Sequence, residues 1–238
     1  MSDRVRTVNR LQARHPRKLM VSHRRAFLTA TAAGAPATAP VPAAERRPVL
    51  PRTARAALDA LVEGNRRYAT GRPRRPDESA GRGHLSGPRH PFAVIVGCVD
   101  SRVPPELVFD QALGDLLCTR TAGQVLDEAV LGSVQYGVQE LRVPLVLVLG
   151  HEHCGAVAAT LEHLRTGAPV PGHLQLLVDE IAPAARRTRA LAGDWAEHTM
   201  RAHTAWVRDA IRADPSFTSA EVTAARLDLG TGLVSLLP

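Results

Sequence analysis

Phe92-Ala93-Val94-Ile95-Val96-Gly97, followed at once by Cys98-Val99-Asp100-Ser101-Arg102, decides how this chain is read, together with its counterpart Leu145-Val146-Leu147-Val148-Leu149-Gly150, followed by His151-Glu152-His153-Cys154-Gly155. Each apolar run reads as a strand buried on both faces, the pattern of parallel sheets. The polar residues after each run therefore sit past the carboxyl ends of two strands, where open α/β sheets place their sites. Two thiolates and one imidazole, from Cys98, His151 and Cys154, suit a single zinc ion. A fourth position is left for water or a nearby carboxylate, as in a catalytic rather than a structural zinc site.

Working outward, residues 54–69 read as a helix with Leu58, Leu61, Val62, Asn65 and Tyr68 on one face, Asn65 being the polar exception. Residues 71–91, rich in Pro, Gly and charge, read as a loop or arm. Pro104 and Pro105 suit the first turn of a short helix through Phe109. Leu116–Thr121 reads as a strand closed by Ala122-Gly123, and 127–141 as a helix with Val130, Leu131, Val134, Val138 and Leu141 on one face. A helix is expected from His153 to Leu164, beginning at the metal loop, with further helices over 173–192 and 195–212. The stripe of the last contains Trp195, Thr199, His203, Trp206, Val207, Ala210 and Ile211. The tail 225–237 carries Gly230-Thr231-Gly232 between apolar residues and reads as a hairpin or bent edge strand. Strands alternating with helices predict an α/β fold, a mainly parallel sheet flanked by helices.

Composition narrows the function classes. Hydrophobic residues make up 45% of the 238 and aromatics only 3%, so the core must be built from Val, Leu and Ala. The net charge of +7 is not spread evenly: residues 1–52 hold 11 Lys and Arg against 2 acidic residues, whereas residues 53–238 hold 19 against 21. A near-neutral body offers no basic groove, so a nucleic-acid partner is not expected. Three cysteines are too few for a disulfide framework. With Cys98 and Cys154 assigned to metal, Cys118 in its apolar run reads as a small buried hydrophobe.

Residues 1–52 read as a leader and linker, and 53–238 as the catalytic domain. Ser22-His23-Arg24-Arg25-Ala26-Phe27-Leu28 resembles a twin-arginine export signal, with Ala37-Thr38-Ala39 or Pro42-Ala43-Ala44 as cleavage sites. The following stretch is broken by Gly34, Pro36, Pro40 and Pro42, so no stable membrane span is expected. The leader predicts export; a basic tail on a cytoplasmic enzyme is the alternative.

Gly97-Cys98-Val99-Asp100-Ser101-Arg102-Val103-Pro104-Pro105-Glu106 and Gly150-His151-Glu152-His153-Cys154-Gly155-Ala156-Val157 resemble the two signatures of the β-class carbonic anhydrases. Arg120-Thr121-Ala122-Gly123 and Ala129-Val130-Leu131-Gly132-Ser133 resemble that family too. The resemblance implies a dimer-forming β-carbonic-anhydrase-like fold, with one Zn2+ per subunit on Cys98, His151 and Cys154. It implies reversible hydration of carbon dioxide to bicarbonate and a proton by attack of zinc-bound hydroxide. It makes Asp100 and Arg102 the catalytic dyad: the Arg holds the Asp, which accepts a hydrogen bond from the zinc-bound water, or swings onto zinc in a closed form known in part of the family. It also implies a cleft at a subunit interface, hence a homodimer or larger assembly. His90, His84 and Glu152 are candidate proton relays. His163, His173, His198 and His203 lack ligand spacing and read mostly as helix surface.

The chain departs from the family's pattern in four places. Arg89 stands where a substrate-binding Gln is common, Gln124 where an Asn is common, and His203-Thr204 near a usual Asn-Val. The segment before Arg226 looks short, as though an apolar strand were missing. Two other readings keep the fold and metal: hydrolysis of carbonyl sulfide or carbon disulfide, and a weakly active zinc-binding homologue serving in assembly.

Overall fold

The computed structural model describes residues 51–74, 87 and 90–238; the leader through Leu50, His84 and Arg89 lie outside the described residues. Five strands form one sheet in the order β2-β1-β3-β4-β5. They are β1 (Ala93–Cys98), β2 (Leu116–Thr121), β3 (Leu145–His151), β4 (Glu221–Leu227) and β5 (Val234–Leu237). β1 pairs in parallel with both β2 and β3, and β3 with β4, while β5 runs antiparallel to β4. The α/β expectation therefore holds.

Alternation explains why the central strands are apolar throughout. Val94, Val96, Val146 and Val148 point into one core, shared with Val130, Val134, Val207 and Ile211. Ile95, Leu145, Leu147 and Leu149 point into the other, shared with Leu61 and Ile181. With both faces covered, every residue of β1 and β3 is buried.

Among the described residues, six helices supply the cover: α1 (Ala54–Ala69), α2 (Pro105–Val108), α3 (Glu128–Gln135), α4 (Gly155–Thr166), α5 (Leu174–Thr188) and α6 (Trp195–Ala213). Their starts follow capping chemistry. Thr53 accepts from the Ala56 amide at α1, Asp127 from Val130 at α3 and Asp194 from Ala196 at α6. Asn65, the polar exception on α1, is buried and donates to the carbonyls of Val108 and Gly232 while accepting from the Val234 amide.

Several expectations need correction. The helix read over 127–141 is α-helical only to Gln135 and continues as a π-helical turn, Tyr136–Glu140. A Cβ on Gly137 would lie 2.7 Å from Val94 and 2.8 Å from Leu117, so this turn is pressed onto the sheet. The strand thought missing before Arg226 is present as β4, built on the small buried residues Ala224 and Ala225. Cys118 is only half-buried, because β2 is an edge strand. Burial, with Glu106 nearby, pushes its thiol upward, so it stays protonated. His203 is not on the surface but fully buried, and Trp206 is the exposed member of its stripe. Among the described residues, no helix is long and apolar enough to cross a membrane.

Candidate metal centre

The site grows from the register of adjacent strands. Cys98 is the last residue of β1 and His151 the last of β3. A tight turn through His153, at φ 49°, delivers Cys154 as the residue capping α4. The two thiols and the imidazole offer ligand atoms that all lie within 4.8 Å of one another, and all three residues are buried. The sequence-predicted trio is thus brought together.

The donor set fits one metal ion. His151 Nδ1 lies 2.7 Å from the Glu152 carbonyl, which fixes the proton on that nitrogen and leaves a lone pair on Nε2. Nε2 is buried and finds no hydrogen-bond partner among the described residues. A buried, unsatisfied acceptor facing two thiols is costly unless something electrophilic lies between them. The sulfurs are also prepared for thiolate chemistry. Cys98 is pulled well below the usual thiol range, first by the neighbouring Cys154 thiol, against burial, and with help from the Gly123 amide. Cys154 is pushed up, first because its thiol is held as a hydrogen-bond donor to the Cys98 sulfur, then by burial and by repulsion from that sulfur's charge; the amides of Val157 and Ala156 at the start of α4 favour its charged form. Burial lowers the His151 pKa, but the nearby Cys98 sulfur and the Glu152 carbonyl more than offset it.

Asp100 and Arg102 lie in the loop after β1. Arg102 Nε donates to Asp100 Oδ1 at 2.9 Å, and Nη2 donates to Oδ2 at 2.7 Å. The Arg102 amide adds a third bond to Oδ1, also 2.9 Å. This grip holds the Asp100 carboxyl well below its ordinary range. Asp100 Oδ2 is 4.0 Å from His151 Nε2, which separates the pair from an ordinary surface ion pair. Asp100 is 16% exposed in its side chain against 52% for Arg102, so the acid faces inward and the base outward. Arg102 also donates to the His153 carbonyl, and so ties the two signature loops together. It borders a cleft of about 390 Å³ shared with Tyr68, Leu227, Asp228, Leu229 and Gly232.

Two supports were not foreseen in the sequence. Arg120, near the end of β2, donates to the carbonyls of Cys98 at 2.8 Å and Asp100 at 2.5 Å. The stretch Arg120-Thr121-Ala122-Gly123, quoted above for its resemblance, was the available signal. Arg226 on β4 joins Glu152, Glu197 and Asp228. Glu152 also accepts from the Leu229 amide, so its carboxylate is committed to holding the loop and is not a free proton relay. His90 is exposed, and His153, read from the sequence as the start of a helix, is an exposed turn residue just before α4.

Comparison with known proteins agrees with this geometry. A family model described as carbonic anhydrase matches residues 93–229. Carbonic anhydrase 2 of Mycobacterium tuberculosis is 49% identical over 130 residues, which cover 54% of this chain and 63% of that protein. A carbonic anhydrase of Mycolicibacterium smegmatis is 47% identical over 130 residues, again 63% of its length. The match thus spans just under two thirds of these relatives. Among solved structures, the Coccomyxa β-carbonic anhydrase in complex with acetazolamide superimposes with a TM-score of 0.58 at 24% identity, covering 76% of this chain and 86% of that one. A structure reported among two tetrameric β-carbonic anhydrases from Sordaria macrospora gives 0.59 at 20% identity, covering 76% and 96%. Both share the fold.

Proposed function

The chain belongs to the carbonic anhydrase family and has the fold of its β class, and from that premise we propose that it interconverts carbon dioxide and bicarbonate, releasing a proton in the hydration direction. β-Carbonic anhydrases use zinc, and Cys98, His151 and Cys154 would hold one ion per subunit. When bound there, zinc supplies a Lewis acid that makes hydroxide available near neutral pH.

The rest falls to the chain's own side chains. Asp100, kept ionised by Arg102, accepts a hydrogen bond and cannot donate one. Placed beside the ligands, it would take the hydrogen bond of the attacking hydroxide and leave an oxygen lone pair free for the substrate carbon. Arg102 fixes the carboxylate's direction, and Arg120 fixes the backbone that carries it. The observation that carries the proposal is this Arg-held carboxylate 4.0 Å from the imidazole of a buried Cys-His-Cys cluster. Stopped-flow hydration of carbon dioxide by zinc-loaded full-length protein, beside Asp100→Asn, tests it. A rate indistinguishable from buffer in the parent would overturn the activity.

Assembly and address belong to the same proposal. The catalytic part is residues 53–238, working as a homodimer or larger. Support comes from β2, an edge strand of the sheet, whose residues after Leu116 are only half-buried and whose outer edge suits burial against a second subunit. Sedimentation velocity reads this directly, and a monomer at all concentrations would count against it. Export by a twin-arginine signal rests on Ser22–Leu28; a secreted fraction that still begins at Met1 would remove it.

A further inference from the structure

Behind the ligand cluster, α6 grips the short 3-10 turn Ala122–Gln124 at two consecutive points. His203 Nε2 lies 3.0 Å from the Gly123 carbonyl. Gln124 Nε2 donates to Thr204 Oγ1 at 3.0 Å. The residues gripped are those that approach the site, for the Gly123 amide points at the Cys98 sulfur, 3.3 Å away.

The chemistry of His203 follows from its surroundings. It is fully buried, and its partner is a carbonyl, so Nε2 carries a hydrogen and the ring is neutral. Nδ1 then presents a lone pair that finds no partner among the described residues. Burial also pushes its pKa down to about 4, which keeps the ring uncharged at working pH. An apolar side chain would fill this place without an orphaned acceptor, so the donor on Nε2 is what distinguishes a histidine here. On the far side of the turn, Gly123 is in the left-handed region at φ 67°, and a Cβ there would lie 2.9 Å from Ile181 Cδ1 and 3.0 Å from Ala156 Cβ. The turn is boxed by packing on one side and by the His203 hydrogen bond on the other.

We infer that His203 is a positioning residue of the metal centre: by fixing the carbonyl of Gly123 it holds that residue's amide on the Cys98 sulfur, and so sets how much charge this thiolate gives to the metal. An N–H···S bond withdraws electron density from the sulfur, and the metal becomes the stronger Lewis acid for it. The inference rests on reading Cys98 as a ligand, and its test separates the two.

The test uses full-length protein loaded with cobalt(II), read by its sulfur-to-cobalt charge-transfer band and by metal affinity in competition with a chelator. His203→Phe keeps a ring against Trp206 but loses the donor; the stacked rings are 5.9 Å apart. We expect the band to move to lower energy and the affinity to fall about 10-fold or more, the usual scale for groups that act on a metal through its ligands. His203→Gln, whose terminal amide reaches to the same depth, should restore both. His203→Asn, one carbon shorter, should not. If His203→Phe does not fold, the Gln and Asn variants decide between them by the same criteria. A parent without a thiolate–cobalt band overturns the ligand assignment itself. A normal parent band that is unchanged in His203→Phe, or a shift that His203→Gln fails to reverse, overturns the role of His203 and leaves the ligands standing.

Discussion

Replacing Asn65 with Ala should destabilise the fold by about 3 kcal/mol, a figure that comes from three hydrogen bonds with different fates. The Val108 carbonyl is among the last of α2, a helix end with no partner of its own. Asn65 supplies its donor at 3.1 Å, and Val108 is fully buried, so losing that donor leaves an unsatisfied acceptor at about 1–3 kcal/mol. The bonds to the Gly232 carbonyl and from the Val234 amide, both 2.8 Å, anchor the start of β5. Those two residues are half-buried, water replaces part of what is lost, and each bond contributes about 0.5–1.5 kcal/mol. For a domain of this size, about 3 kcal/mol lowers Tm by roughly 6–12 °C. Urea and thermal unfolding of the parent, Asn65→Ala and Asn65→Asp measure it. The Asp variant keeps an acceptor for Val234 but turns a carboxylate on two carbonyls, so it should be at least as unstable as the Ala variant. A loss under about 1 kcal/mol for Asn65→Ala, or near-parental stability for Asn65→Asp, refutes the reasoning.

Four further outcomes are expected. Cys98→Ser or His151→Ala should remove metal and activity together, measured by metal analysis and hydration rate on one preparation. Asp100→Asn should keep the metal yet lose about 10²-fold or more in hydration rate, because an amide presents a donor where an acceptor is required. Gly123→Ala should cost about 1–3 kcal/mol in urea unfolding, since φ 67° and the Ile181 contact both oppose a Cβ. His203 should make stability sensitive to acid: its pKa falls from 6.5 to about 4 on folding, so the unfolded chain binds the extra proton between those values. Its contribution is complete above about pH 6.5 and is lost as pH falls through about 4, amounting to about 3 kcal/mol at most. The difference in urea midpoint between pH 7 and pH 4.5 should therefore be smaller in His203→Gln than in the parent.

The strands that carry the ligands were legible because β1 and β3 are covered on both faces, which leaves unbroken apolar runs ending in Cys98 and His151. The Cys98, His151 and Cys154 cluster and the Asp100–Arg102 pair were legible as neighbours because each lies in or beside a short contiguous stretch of sequence. What escaped the sequence depends on contacts between distant segments. β4 is hidden because Ala224 and Ala225, which face the two different cores, are small, and small residues give a weak strand signal. The π-helical turn at Tyr136–Glu140 answers to the tight approach of Gly137 to Val94 and Leu117, which helical periodicity does not record. The contacts of Arg120, Arg226 and His203 are made with residues distant in sequence and show only when the fold brings them together. Asn65 was visible as an exception on a helix face, but its partners are 43, 167 and 169 residues away.

X-ray absorption at the zinc edge of the purified full-length protein reads the metal's neighbours atom by atom. The account predicts one zinc per subunit with two sulfur neighbours at about 2.3 Å and a nitrogen and oxygen shell at about 2.0–2.2 Å, and loss of one sulfur or of the metal in Cys154→Ser. A shell without sulfur, or a well-folded protein that takes up no zinc, would contradict it.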